Sequence, residues 1–267
     1  FSFLKLSYET TFSLLVFGFS AIGFLGIWQL LEALKKELSF STTAQLFTAL
    51  VYSTTPYILS SILYRGSIGE IMAYGLFPWI LWTIAYASQE SSPDVQKNKL
   101  FFQNFLPLLI IQTAVWTAFF LSHNVSVLFG TTLAATYAFI MLPKTIKAWS
   151  YCIAPIIFGF GLSAWFWLPA YFEKNLIVLD FAELQSNFAD HFPTLKQLFF
   201  SPLQFGFSYP GPIDSLSFMI GPFAALSLVI FGLHLLARHG HQQKSLRVAA
   251  GFSMLLLIAQ LELTTPI

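Results

Sequence analysis

Ile71-Met-Ala-Tyr-Gly-Leu-Phe-Pro-Trp-Ile-Leu-Trp-Thr-Ile-Ala-Tyr-Ala-Ser88 runs for eighteen residues without Asp, Glu, Lys, Arg or His. At a helical rise of about 1.5 Å per residue it reaches about 27 Å, close to the roughly 30 Å hydrocarbon core of a bilayer. Pro78 falls mid-span. Proline removes a donor and frees the carbonyl four residues earlier, which a lipid-embedded helix tolerates when a neighbouring helix supplies the missing hydrogen bond. The stretch therefore reads as a membrane-spanning helix whose kinked side faces protein.

Working outward, seven more segments have the length and apolarity of a span: 12–34, 43–63, 101–121, 125–142, 150–172, 217–236 and 248–263. The expected fold is an all-α polytopic bundle of eight transmembrane helices, one domain over residues 1–267. Composition agrees. The chain is 56% hydrophobic, 18% aromatic and only 9% charged, with mean hydropathy +0.70, whereas soluble domains carry roughly 25% charged residues. One cysteine, Cys152, excludes a disulfide framework, and a net charge of +1 gives no electrostatic footprint for nucleic acid. The chain opens on Phe1 without a charged leader and stops at Ile267 just after an apolar run, so it reads as an internal piece of a longer protein.

Lysine and arginine set the orientation. Nine of them (Lys35, Lys36, Lys97, Lys99, Lys144, Lys147, Arg238, Lys244, Arg247) fall in connections that alternate with those holding Lys5, Arg65, Lys174 and Lys196. The richer side is expected to be cytoplasmic. Eight of the twelve acids lie on the other, outer side, which is net negative there; cation handling and a drift of acids to the translocated face both account for this. The outer side also holds the one long loop, 173–215. Asp180-Phe-Ala-Glu183 reads as a capping box opening an amphipathic interfacial helix, and Thr194-Leu-Lys-Gln197 repeats the signal for a second short helix through Phe200.

No Asp, Glu, Lys or Arg sits near the middle of any expected span, which argues against an ion-coupled carrier. Polar chemistry is confined to the outer rim. Tyr64-Arg65-Gly66-Ser67-Ile68-Gly69-Glu70 carries two readings. Ser67 and Glu70 have the spacing of a capping box, with Arg65 a snorkelling topological charge. Alternatively the glycines let backbone approach a ligand, and Arg65 offers a bidentate fork to a phosphate at a helix N-terminus. Ser122-His123-Asn124 is either a polar turn or a source of imidazole and amide contacts to phosphate, metal or sugar. Glu173 with Lys174 is either an interfacial charge pair or a third contributor. Arg65, Glu70, His123, Asn124 and Glu173 are the candidate substrate-binding residues, with Arg65, Glu70, His123 and Glu173 expected to line one outer cavity. No catalytic residue and no metal-ligand set is assigned. P-loop, Rossmann, nucleophile-elbow and Cys-x-x-Cys patterns are absent.

Tyr57, Arg65-Gly66, Glu70, Ala73, Pro78 and Trp82, followed by His123-Asn124, by Trp167-Leu-Pro-Ala170 with Glu173, and by Gln197, Ser201-Pro202, Gly206 and Ser208, carry a resemblance. The pattern resembles large bacterial polytopic proteins of the GT-C glycosyltransferase-like group, and more narrowly the membrane proteins labelled 6-pyruvoyl-tetrahydropterin synthase-related, a label implying no pterin chemistry. The resemblance implies residence in the bacterial plasma membrane with the long loop outside. It also implies a polyprenyl-phosphate-linked sugar as donor, chemistry on the non-cytoplasmic face and optional help from a divalent cation. In such enzymes a carboxylate in the first outer loop serves as base or metal ligand; Glu9 lies near that region without a recognisable motif, so the role is not assigned to it. The competing class is a non-catalytic polytopic scaffold or a lipid-linked glycan transporter.

Overall fold

The computed structural model describes residues 6–35, 41–90, 101–176, 193–202, 204, 206, 209 and 215–219. Among these, the long elements are all helices: α1 Tyr8–Leu34, α2 Thr42–Ser53, α3 Pro56–Ser60 continuing into a π turn Ser61–Arg65, α4 Ile68–Glu90, α5 Phe101–Phe120, α6 Asn124–Met141, α7 Ile146–Leu162 and α8 Ala164–Glu173. A short α9 spans Leu195–Phe200. Four helical stretches are long and apolar enough to cross a membrane: Tyr8–Leu34, Thr42–Arg65, Ile68–Gln89 and Asn124–Met141. The bent pair α7–α8 makes a fifth if it forms one span. The expected spans 12–34, 43–63, 71–88, 101–121, 125–142 and 150–172 all fall on helices. Those at 217–236 (beyond residue 219) and 248–263 lie outside the described residues, as does the helix expected from Asp180.

Two expected single spans are broken. Pro56 interrupts the second between α2 and α3, because it has no N–H to continue the ladder. The sixth bends by 61° between Leu162 and Ala164, at Ser163, whose hydroxyl turns back to donate to the Phe160 carbonyl at 2.9 Å.

Polar side chains close the helix ends. Ser7, Ser41 and Thr145 accept from the backbone N–H three residues on, at 3.1, 3.2 and 3.3 Å. Thr194 and Gln197 form the full reciprocal capping box expected from their spacing.

Helix α4 is the axis of the bundle. Of its apolar stretch 72% is buried inside the protein, against 28% to 33% for the other three spans of that kind. It packs on α1, α5, α6 and α7. Against α1 the fit depends on small residues, as helix association in lipid generally does. A Cβ at Gly75 would stand 2.5 Å from the Phe19 carbonyl oxygen, and one at Gly26 would stand 2.7 Å from the Trp79 ring. With that space open, the Trp79 indole N–H reaches the Ile22 carbonyl at 2.8 Å.

The proline of α4 does face protein, within a helix that is continuous from Ile68 to Glu90. Pro78 is fully buried, and the carbonyl it frees is that of Tyr74. The Tyr52 hydroxyl donates to that carbonyl at 2.7 Å. The arrangement is reciprocal: Pro56 frees the carbonyl of Tyr52, and the Tyr74 hydroxyl donates to it at 3.1 Å. The two rings stack with centroids 4.2 Å apart. Each proline break is thus closed by the tyrosine of the other helix, which ties the broken second span to α4.

Successive long helices run antiparallel. At one end of the bundle the 66–67 and 121–123 turns meet, since a Cβ at Gly69 would stand 2.8 Å from the Ser122 carbonyl oxygen. At the other end the Ser88 hydroxyl donates to the Met141 carbonyl at 2.8 Å, and the Gln89 amide donates to the Ala33 carbonyl.

Candidate functional site

The polar cluster sits where those two turns meet, and it forms around Glu70 in the first turn of α4. The Glu70 side chain is 3% exposed. An unpartnered carboxylate at that depth would cost several kcal/mol, so its partners decide whether the fold tolerates it. The Tyr57 hydroxyl donates to Oε2 at 2.9 Å and the Ser61 hydroxyl donates to the same oxygen at 3.2 Å. Arg65 Nη2 forms an ion pair with Oε1. His123 Nε2 lies 4.0 Å from Oε1.

Local winding explains why three residues of one stretch of chain reach a single carboxylate. Tyr57, Ser61 and Arg65 are spaced by four. In an α-helix each step of four over-runs a turn by about 40°, so the third would drift off the face of the first. The segment Ser61–Arg65 is a π turn, which winds wider and falls short of a full turn over four residues. The drift is cancelled and all three side chains face Glu70. π turns are frequent at functional sites. Gly66, at φ +60°, ends the turn in the left-handed region that favours glycine. The second glycine serves packing: Gly69 admits the Ser122 carbonyl of the neighbouring turn rather than a ligand.

The capping-box reading of Glu70 is replaced. Its carboxylate turns inward to Tyr57, Ser61 and Arg65, although its position in the first turn still favours the α4 dipole. Tyr57 enters the sequence reading only through the family pattern, and Ser61 not at all; the four-residue spacing with Arg65 is the signal that points to them.

His123 is the N-cap of α6. The Ser126 N–H donates to Nδ1 at 3.4 Å, and the Ser126 hydroxyl is 2.9 Å from the same nitrogen. A backbone N–H only donates, so Nδ1 is an acceptor and the neutral ring carries its proton on Nε2, the nitrogen turned to the cluster. The imidazole is 32% exposed and Arg65 13% exposed. Glu70 engages one nitrogen of the guanidinium, and no other acceptor among the described residues lies within hydrogen-bond range of it. Two N–H donors, one on Arg65 and one on His123, therefore flank a filled carboxylate at this end of the bundle.

The structure brings together Arg65, Glu70 and His123. Asn124 is the first residue of α6 and exposed. Glu173 ends α8, also exposed, and no ion pair or hydrogen bond among the described residues joins either to the cluster. The donor set does not suit a divalent ion: Glu70 is already held by a guanidinium, and among the described residues no three of His, Cys, Asp and Glu come together as metal ligands. Compared with protein families, curated proteins and solved structures, the chain matches none.

Proposed function

We propose that the Arg65–Glu70–His123 cluster is the phosphate-recognising rim of an integral membrane protein of glycosyl-transfer type, which takes a sugar from a polyprenyl-phosphate donor on the non-cytoplasmic face. The observation that carries this reading is the fixed guanidinium. Glu70 is buried and held by Tyr57 and Ser61, so it presets Arg65 instead of binding substrate, and it engages only one nitrogen of a guanidinium that stays 13% exposed. A planar fork of that kind matches a phosphate monoester or diester. The His123 Nε2–H supplies a second donor. As the sugar departs, charge grows on the leaving phosphate, and donors already in place stabilise it without reorganising.

Glu70 is a positioning residue here, not the base, because its oxygens are taken by three donors. The reading assigns no base within the cluster. The nine-to-four distribution of Lys and Arg supports an outer location for the cluster and an eight-span topology with the 173–215 loop on the same side of the membrane.

A second reading has its own observation. The ion pair is closed and joins the broken second span to α4, which is what a non-catalytic scaffold needs. The experiment that separates them is sugar transfer from a polyprenyl-phosphate donor by the full-length protein, normalised to correctly inserted molecules. The transferase reading expects Arg65→Ala to lose about 100- to 1,000-fold in turnover. The scaffold reading expects reduced yield and no change per folded molecule.

A further inference from the structure

We infer that the cluster takes up a proton together with its phosphate, and that the proton goes to the His123 imidazole. The inference rests on the phosphate reading above and adds what regulates that site. Charge makes the case. Arg65 and Glu70 cancel, since Nη2 pairs with Oε1 of a carboxylate that is 3% exposed. A phosphodiester beside them meets donors but no net positive charge, and it is set against Glu70 as much as toward Arg65. The titratable groups facing the ring are Glu70 on α4 and, through that carboxylate, Arg65 on the π turn and Tyr57 on α3. Of these types, only histidine ordinarily gains positive charge between about pH 8 and about pH 5.

The geometry provides for both states of the ring. Nδ1 has two neighbours on Ser126, the backbone N–H at 3.4 Å and the hydroxyl at 2.9 Å. The N–H can only donate, so it serves the neutral ring. The hydroxyl can donate to a neutral ring, or accept from a protonated one by turning about its own C–O bond. Protonation thus forfeits the longer contact and keeps the shorter. Ser126 is 2% exposed, so the acceptor is held in place, whereas the imidazole is 32% exposed and open to protons from water. Nε2, which lies 4.0 Å from Glu70 Oε1, carries its proton in both states. What opposes a positive ring is α6, whose N-terminus His123 caps and whose dipole disfavours a cation there. An anion arriving beside Arg65 offsets that opposition. Protonation and phosphate binding are then linked, each favouring the other.

The test is isothermal titration calorimetry of the full-length protein in detergent micelles with a short-chain polyprenyl methyl phosphate, a diester whose single charge does not titrate near neutral pH. Repeating it in buffers of different ionisation enthalpy counts the protons taken up. Wild type should take up a fraction of a proton on binding and bind about tenfold tighter at about pH 6 than at about pH 8, because a charged donor is worth roughly twice a neutral one. His123→Asn keeps a side chain suited to the N-cap and should abolish both the uptake and the pH dependence. Ser126→Ala leaves only an N–H beside Nδ1 and should reduce the uptake, which a serine of purely structural role would not do. Diester binding without proton uptake overturns the inference and leaves the phosphate reading standing. Uptake that persists in His123→Asn does the same. No binding at either pH overturns the phosphate reading, and the inference with it.

Discussion

Tyr52→Phe should be costly only because of a proline in another helix. The Tyr52 hydroxyl is the donor at 2.7 Å for the Tyr74 carbonyl, and the residue that would serve that carbonyl in a regular helix is Pro78, which has no N–H. Removing the hydroxyl leaves a buried acceptor unmet and keeps the ring stack of Tyr52 on Tyr74. A buried polar group so orphaned costs about 1–3 kcal/mol. In a Pro78→Ala background the backbone supplies its own N–H to Tyr74, so the same change should cost about 0–1 kcal/mol. The expected coupling is about 1–2 kcal/mol, with the double variant more stable than the sum of the singles. The assay is a double-mutant cycle read by reversible unfolding of the purified protein in mixed micelles, following tryptophan fluorescence. Additivity within about 0.5 kcal/mol would refute the claim that the two helices exchange hydrogen bonds at their proline breaks.

Other expected outcomes follow from the same geometry. Glu70→Ala leaves the 13%-exposed guanidinium of Arg65 without its partner and should destabilise by about 3–5 kcal/mol in the same unfolding assay; a loss under about 1 kcal/mol would mean that the pair is not buried in the membrane-inserted protein. Gly75→Ala places a methyl 2.5 Å from the Phe19 carbonyl oxygen and should cost about 1–3 kcal/mol by forcing α1 from α4, whereas Gly18→Ala, which meets nothing within 4 Å, should be close to neutral. Single cysteines at Ser92 and Ser186 should separate under an impermeant thiol reagent in intact cells. Labelling at 186 alone is expected from the lysine and arginine bias, and labelling at 92 would invert the orientation.

Much of the fold is legible in the sequence because lipid leaves few choices. An apolar run of about twenty residues has to be a helix, whereas the caps Ser7, Ser41, His123 and Thr145 emerge only from the structure, because the helices they open begin one to four residues before the apolar runs. Pro78 can be read as a kink facing protein because the freed carbonyl needs a donor; which residue donates depends on how α2 and α4 pack, and no local pattern names Tyr52. The breaks at Pro56 and Ser163 are hidden for a related reason, as hydropathy averages over a window and does not register a bend. At the site, Arg65, Glu70 and His123 stand out as rim polar residues near the ends of separate spans. Their meeting depends on the π turn, whose winding is set by the surrounding packing. Glu70 resembles a cap because Ser67 has the right spacing, and the buried alternative becomes visible only once Tyr57, Ser61 and Arg65 are seen on one face.

The most direct test of the central claim is binding of a short-chain polyprenyl phosphate to the full-length protein, by displacement of a fluorescent analogue, in wild type and Arg65→Lys. Lysine keeps the charge that pairs with Glu70 and loses the planar fork. If Arg65 is held by Glu70 to present that fork to a phosphate, affinity should fall by about 10- to 100-fold, as expected for charged hydrogen bonds worth about 1.5–3 kcal/mol, with the folded fraction unchanged. Equal affinity in the two proteins would contradict the account and leave the cluster a structural ion pair.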